Sequence, residues 1–330
     1  LNAAVPGGWV DGSECHNRNS AEYAWVLATA HKLTAWRLQT EESRSGRAFL
    51  EEARTARDWL IARADAGEPA PMVAAAAARL ARLTDGGAAL VAAARKALER
   101  ALAKQTGETA PILFNAAFDL YVATEDESDA KRAQDLMPGP NAEAVDTLLE
   151  YESEFGDLLS VGLAVALIEQ ADELVARADN GYGVCPYKID GQPNFFGTPE
   201  GAMPGPGNTA QVLQAAALVA KTYKFNPVPA YRDFIYDQLN WVLGCNPNGV
   251  CLVKGLGGKG LTEYHHCPCA PEAPVGAVAH GFTGRAAGDD RPWLDTATEA
   301  PDPRTSGFSL ENTAAWINAL AWFKRVRLGT

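Results

Sequence analysis

Long apolar runs are missing from the 330 residues. None approaches the roughly 20 consecutive apolar side chains that a membrane-crossing helix needs, and the most apolar stretch, "PMVAAAAARLARL", is interrupted by Arg. Basic residues are also scarce, since 29 Lys and Arg stand against 41 Asp and Glu for a net charge of −12. No basic stripe with interleaved aromatics offsets that charge, so we expect neither a membrane nor a nucleic acid as a partner.

Several enzyme motifs are missing as well. The sequence contains no Gly-x-Ser-x-Gly, Walker A or Gly-x-Gly-x-x-Gly, which argues against serine hydrolases, P-loop enzymes and dinucleotide-binding proteins. It also has no convincing run of strands alternating with helices, so a doubly wound or barrel fold is not expected.

Helical periodicity dominates what is present. Apolar residues recur at three- and four-residue spacing up to about residue 177, and "SAEYAWVLATAHKLTAWRLQ" shows the pattern with Ser20 as an N-cap. Two long Gly/Pro-rich loops, 179–209 and 245–309, separate the later helices, and long ordered loops are usually functional. About ten or eleven helices in pairs predict an all-α fold, an α/α toroid forming one domain over residues 1–330.

The six cysteines leave alternatives open. The stretch "NPNGV" between Cys245 and Cys251 could bring these two close enough for a disulfide, but a chain of this length does not need one. The run "HHCPC" from His265 has ligands that zinc accepts, yet no second half-site with matching spacing accompanies it. We expect no bound metal there and thiols that are unpaired or partly paired.

Acidic residues stand at both ends of the chain. Asp11 and Glu14 follow "GGW", and Glu311 opens the last helical stretch, "LENTAAWINALAWFKRVR". Each could merely complement the positive end of a helix. A pair of carboxyl groups from separate segments is also what glycoside hydrolysis requires.

Three separated stretches resemble glycoside hydrolase family nine, whose inverting cellulase-type enzymes are built on six α-helical hairpins. They are "GGWVDGSECHN", "LGCNPNGVCLVKGLGGKGLTEYHH" and "GFSLENTAAWINALAW", with a weaker match at "FFGTPEGAMPGPGNTAQVLQ". They occur in the family's order. The resemblance implies an (α/α)6 six-hairpin toroid whose first helix would be missing or lie upstream.

The resemblance also implies catalytic residues. Glu311 takes the place of the family's general acid, Glu14 that of the base, and Asp11 that of the aspartate that helps to hold the attacking water. The family has Asp at the position of Glu14, and the longer side chain here makes ordinary cellulase action doubtful, because a misplacement of about 1 Å can cost about a hundredfold in rate. Phe308, Leu310 and Trp316 would partly shield Glu311 from water, as an acid requires.

Substrate-binding residues follow from the same resemblance and from aromatic chemistry. His266, with His265 beside it, lies where the family's His pair contacts sugar hydroxyls. Trp9, Tyr264 and Trp316 are candidates for stacking against sugar rings. We interpret His31 and His280 as an ordinary helix-face histidine and a loop histidine.

The expected partner is an oligosaccharide or polysaccharide, with no cofactor except a structural calcium of the kind that many family members bind. A chain that begins with Leu would fit an exported protein, secreted or periplasmic, that has lost a signal peptide. Two alternatives remain: a polysaccharide lyase on the same fold, which would use a Tyr or His base, and a catalytically impaired sugar-binding relative.

Overall fold

The computed structural model describes residues 17–35, 44–66, 70–84, 87–104, 106–107, 109–139, 141–156, 160–189, 192–194, 196, 203–265 and 273–327. These residues form two compact units, which meet along the chain at Leu167 and Ile168. Each unit is treated by itself. The prediction of one catalytic domain over residues 1–330 stays a prediction.

The first unit consists of helices joined by short connections. Its elements are α1 (Asn17–Ala35), α2 (Arg44–Thr55), α3 (Arg57–Asp65), α4 (Pro71–Arg82), α5 (Ala88–Leu102), α6 (Ala110–Thr124), α7 (Glu127–Asp135), a 3₁₀ turn (Ala142–Ala144), α8 (Val145–Phe155) and the first part of α9 (Ser160–Arg177). The predicted N-cap Ser20 is wrong, because α1 begins three residues earlier and Ser20 is buried within it.

Helix α4 is the centre of the first unit. It packs against α1, α5 and α6, and every residue from Val73 to Ala81 is buried. The run of alanines between them explains this position, because small side chains let neighbouring helices approach closely and a helix that is apolar on all sides belongs in a core. Arg79 is the one charged residue between Val73 and Ala81, and it is 0% exposed.

Arg79 is held by a closed set of charges from four helices. Its guanidinium contacts Asp119 at 2.8 Å and Asp146 at 2.9 Å, and Nη1 also donates to Thr29 at 2.7 Å. Burial alone would lower the pKa of Arg79. The two carboxylates raise the pKa by more than burial lowers it, so it lies above its usual value. Asp119 also pairs with Arg82, which contacts Glu150 at 2.9 Å.

Two residues of α1 also contact this set of charges. Lys32 pairs with Asp146 and Glu150, and the Trp25 ring lies 4.8 Å from the Arg79 guanidinium carbon. Three positive and three negative side chains therefore balance inside the unit, as buried charges must.

The second unit begins with the rest of α9 and contains the long loops. Its elements are a hairpin of β1 (Tyr187–Ile189) and β2 (Gln192–Asn194), then α10 (Thr209–Tyr223), α11 (Pro229–Leu243), the short α12 (Pro303–Ser306) and α13 (Leu310–Arg327). The strands pair antiparallel, with Tyr187 opposite Asn194. No strand was expected, and the Asp-Gly dipeptide between them was the signal for a hairpin.

Helix α10 packs against α11 and α13, and an aromatic cluster joins the loops to them. The ring of Trp241 on α11 lies 4.8 Å from that of Phe282 and 6.0 Å from that of Phe196. Phe196 and Phe282 come from the two long loops, so the cluster anchors both loops to α11. None of the helices in the described ranges is both long and apolar enough to cross a membrane.

Candidate active site

Glu311 occupies the second position of α13. The Ser309 hydroxyl accepts from the backbone N–H of Asn312 at 3.1 Å, which caps the helix one residue before its first turn. An acidic side chain is favourable here because the helix N-terminus carries partial positive charge. The carboxyl is exposed, so the expected shielding by Phe308, Leu310 and Trp316 is wrong for the protein without substrate.

A tight turn directly precedes α13. Asp302 caps α12 by accepting from the backbone N–H of Arg304 at 2.8 Å, and the hydrogen bonds from the Arg304 side chain hold the pKa of Asp302 below its usual range. Arg304 in turn donates to Pro204 and Gly284 carbonyls at 3.3 Å. The turn before Glu311 is thus tied to both long loops.

The second and third motif stretches meet at this turn. The backbone N–H of His265 donates to the carbonyl of Ser306 at 3.1 Å, and the Tyr264 ring packs edge-on against Phe308 with centroids 6.5 Å apart. The His265 side chain is exposed. Residues that are 46 apart in sequence, His265 and Glu311, therefore belong to one region of the second unit.

Two of the aromatic candidates are buried. Tyr264 is 5% exposed and Trp316 is 7% exposed, and burial raises the pKa of the Tyr264 hydroxyl, with Cys251 adding to the effect. Other protein atoms cover most of both rings, and both pack within the second unit. Their stacking against a sugar stays a prediction.

His280 lies in the same region, although no motif in the sequence predicted that position. Its backbone N–H donates to the Gly307 carbonyl at 2.7 Å, and its carbonyl accepts from the N–H and hydroxyl of Thr209 at 3.2 and 2.8 Å. Its imidazole Nδ1 lies 3.1 Å from Nδ2 of Asn312. Gly307, Asn312 and Thr209 lie 27, 32 and 71 residues from His280 in sequence, so no local pattern could have revealed these contacts.

The loop before His265 encloses a small cavity. Its volume is about 170 Å³, and Lys254, Glu263 and Tyr264 are among the residues that line it. The Lys254 ammonium donates to the Ala273 carbonyl at 2.5 Å and lies 5.8 Å from the Tyr264 ring. The cavity is therefore closed partly by charged and polar groups of the motif loop.

Four predicted site residues fall outside the described residues: Asp11, Glu14, Trp9 and His266. Their roles stay predictions, and the expectation that no zinc is bound at Cys267 and Cys269 also concerns residues outside the described ones. Among the residues that are described, no three His, Cys, Asp or Glu side chains come together as metal ligands, and the structural calcium stays a prediction. Cys245 and Cys251 are both described, and they are unpaired thiols and not a disulfide.

Comparison with known proteins gives one family. The model of "Glycosyl hydrolase family 9" matches residues 14–299, a range that includes Glu14 and ends before Glu311. No curated protein sequence matches the chain.

Solved structures resemble the chain over nearly its whole length. A Bacteroides ovatus protein of glycoside hydrolase family 9 is 16% identical, with a TM-score of 0.69 over 96% of this chain and 71% of its own. A metagenome-derived endoglucanase of the same family is 20% identical, with a TM-score of 0.68 over 96% and 70%. The cellulase Cel9M of C. cellulolyticum, also solved with cellobiose, is 14% identical, with a TM-score of 0.64 over 98% and 88%. This likeness and the helices described above confirm the expected fold class, (α/α)6.

Proposed function

The chain belongs to glycosyl hydrolase family 9 and is a glycoside hydrolase, and on that premise we propose that it cleaves β-linked glucan-type or modified-sugar oligosaccharides and polysaccharides with inversion at the anomeric carbon. The substrate class is suggested by the structural neighbours, two of which are named as an endoglucanase and a cellulase. The Glu at position 14 is why modified sugars stay in the proposal.

One observation supports the site more than any other. The hydrogen bond from His265 to Ser306 joins a loop that would contact sugar hydroxyls to the turn that presents Glu311. An exposed carboxyl at a helix start and an exposed histidine on an adjacent loop form a surface that a sugar chain can reach. The buried Tyr264 and Phe308 underneath give that surface a fixed base.

In the proposed reaction, Glu311 donates its proton to the glycosidic oxygen as the bond from that oxygen to the anomeric carbon breaks. A water molecule attacks the same carbon from the opposite face, and Glu14 takes a proton from this water while Asp11 helps to hold it. An inverting enzyme needs carboxyl groups roughly 6.5–9.5 Å apart to leave space for the water. Both carboxyl groups then return to their starting states by exchanging protons with solvent.

Because Glu311 is exposed in the free protein, this mechanism requires the bound substrate to shield it from water. A general acid works best when water is excluded from it, and here the free protein leaves the carboxyl open to solvent. On this proposal the bound sugar supplies the shielding, with His265 and His266 contacting its hydroxyl groups. Trp9, Tyr264 and Trp316 are the candidates for stacking on a sugar ring.

One observation favours a second candidate, a sugar-binding relative with impaired catalysis. Within the described residues, no side chain outside the start of α13 forms a hydrogen bond or an ion pair with the exposed Glu311. In addition, Glu14 stands where the family has its catalytic aspartate. Such a protein would bind oligosaccharides and release no product. A polysaccharide lyase is less well supported, because Tyr264, the tyrosine of the candidate site, is buried.

The test is a Glu311→Gln variant assayed beside the wild type on cello-oligosaccharides and on charged or amino-sugar oligomers. We expect hydrolysis by the wild type and none by the variant, with unchanged folding. Glu299→Gln, the same chemical change at an exposed loop position of the same unit, is the control and should hydrolyse normally.

The alternatives predict different products. Binding without cleavage by the wild type would favour the impaired relative. Products that absorb in the near ultraviolet would reveal the double bond that a lyase forms. Normal turnover by Glu311→Gln would contradict the assignment of the acid.

A further inference from the structure

His280 contacts the chain on both sides of Glu311. Four residues before the acid, the Gly307 carbonyl accepts from the His280 backbone N–H at 2.7 Å. One residue after it, the Asn312 side chain meets the His280 imidazole at 3.1 Å. The Ser309 cap lies between these two contacts, so the whole first turn of α13 is held against a single residue of the opposing segment.

The direction of the imidazole hydrogen bond can be assigned from its neighbours. Asn312 Nδ2 lies 3.3 Å from the carbonyl of Val278, and a carbonyl oxygen only accepts. The NH2 end of the amide must therefore face both Val278 and His280, because the oxygen end would repel the carbonyl. An amide nitrogen has two hydrogens and no acceptor, so Nδ1 of His280 accepts, and the imidazole is neutral with its hydrogen on Nε2.

The Asn312 end of this hydrogen bond is buried. Asn312 is 2% exposed, so its two N–H groups have little access to water, and losing a buried partner is costly. Gly307 completes the arrangement. A Cβ there would collide with the Pro303 carbonyl and lie 2.7 Å from Cδ2 of the His280 ring, so only glycine lets the ring pack flat on the turn.

We propose that His280 is a positioning residue for Glu311, acting through Asn312 and Gly307 to fix the direction in which the first turn of α13 presents the carboxyl. The proposal rests on the proposed function, because it assumes that Glu311 is the acid. It goes beyond that function by assigning a role to His280, which none of the matching stretches includes, and to Asn312, which had no role of its own in the stretch that contains Glu311. His280 does not itself need to touch the sugar.

The position of an acid relative to the glycosidic oxygen affects the rate of the chemical step more than substrate binding. Displacing a catalytic group by about 1 Å can lower the rate about a hundredfold. Loss of the His280 imidazole should therefore reduce kcat and leave KM nearly unchanged. A residue with only a structural role would lower thermal stability without this separation of the two constants.

The variants are His280→Leu, Asn312→Leu, the double variant, His280→Asn and Glu311→Gln. We expect His280→Leu and Asn312→Leu each to lower kcat by about 10- to 100-fold with KM changed less than twofold. The double variant should be no slower than either single one, because both remove the same hydrogen bond. His280→Asn places a side-chain oxygen near the Nδ1 position and should restore most of kcat.

The matched control is Thr209→Val. It removes the hydroxyl that donates to the His280 carbonyl at 2.8 Å and leaves the imidazole bond intact. We expect Thr209→Val to lower Tm by about as much as His280→Leu while kcat stays at the wild-type value. Equal losses of kcat in the control and in His280→Leu would show a merely structural role and overturn the proposal.

Glu311→Gln separates the two possible failures. If it is inactive while His280→Leu turns over normally, His280 has no positioning role and the proposed function stands. If Glu311→Gln retains turnover, both proposals fall, because there is no acid to position. Nitrogen-15 NMR of the imidazole gives a readout that needs no activity: the Nε2–H tautomer is expected in the wild type, and an imidazolium or an Nδ1–H tautomer at neutral pH would contradict the assigned bond.

Discussion

The two units of the chain hold their helices together by different means. In the first, charged side chains from α1, α4, α6 and α8 meet around Arg79, and Arg79, Asp119 and Asp146 are buried. In the second, backbone groups of long loops bond to one another, as His265 does to Ser306 and His280 does to Gly307. In the second unit the side chain of His265 is exposed although its backbone is bonded, whereas Arg79, Asp119 and Asp146 of the first unit are buried.

This difference between the units predicts which substitutions should destabilise each of them. A buried charge set depends on every member, because removing one leaves its partner unpaired in a low-dielectric interior. A loop held by its backbone tolerates most side-chain changes and fails where an added atom has no space. The predictions below test this contrast, beginning with the largest expected effect.

Replacing Arg79 by Met should destabilise the protein by about 3–5 kcal/mol, because Asp119 and Asp146 would remain buried without their common partner. Chemical denaturation of the purified protein measures this change. Lys131→Met is the control, since its pair with Asp135 is exposed and such pairs contribute about 0–1 kcal/mol. Equal losses in the two variants would show that the charges around Arg79 contribute no more than an exposed ion pair.

Replacing Gly307 by Ala should cost about 1–3 kcal/mol through steric conflict in the second unit. The backbone there is ordinary, with φ −61° and ψ 155°, so the conflict is with the Pro303 carbonyl and the His280 ring and not with the torsion angles. Denaturation measures the cost.

The control for this variant is Gly258→Ala in the same unit, where no atom lies within 4 Å of the added carbon. It should stay within about 0.5 kcal/mol of the wild type. A Gly307→Ala protein as stable as this control would show that the turn before Glu311 is looser than described.

Replacing Asp302 by Asn should cost about 0–1 kcal/mol at neutral pH, because it removes the charge that pairs with Arg304, while the amide oxygen can still accept the cap hydrogen bond. The pKa of Asp302 in the folded protein lies below its ordinary 3.8, because Arg304 and the helix start favour the ionised carboxyl. The stabilisation is therefore present above pH 3.8 and is lost as the pH falls through the lowered value, so the two proteins should converge in acid.

Denaturation at a series of pH values checks the Asp302 effect. The control is Asp289→Asn, which removes a carboxyl paired with an arginine two residues later on an exposed loop. A pH-independent difference between Asp302→Asn and the wild type would contradict the assigned cause.

The sequence predicted the helices better than the contacts between them. Three- and four-residue spacing identified α1, and Pro and Gly punctuation identified most boundaries, because both signals are local. The spacing did not show the break between α2 and α3 at Ala56, since alanine there continues a helical pattern. The hairpin of β1 and β2 is short, and it was missed inside a loop.

The candidate site shows the same limit. Motif order predicted that His265 and Glu311 belong together, and the structure brings their segments into contact. His280 carried no motif, and only the fold places its imidazole against Asn312, 32 residues further along the chain. The alanine-rich run "PMVAAAAARLARL" likewise does not show that the partners of its Arg79 and Arg82 lie on other helices.

The most direct test of the central claim is proton NMR of the anomer that is released first when the protein cleaves a β-linked cello-oligosaccharide or a modified analogue. If carboxyl groups near the two chain ends act from opposite faces of the sugar, the new reducing end forms as the α-anomer and only later equilibrates. A β-anomer as the first product, or a wild-type protein that binds these sugars and cleaves none of them, would contradict the account.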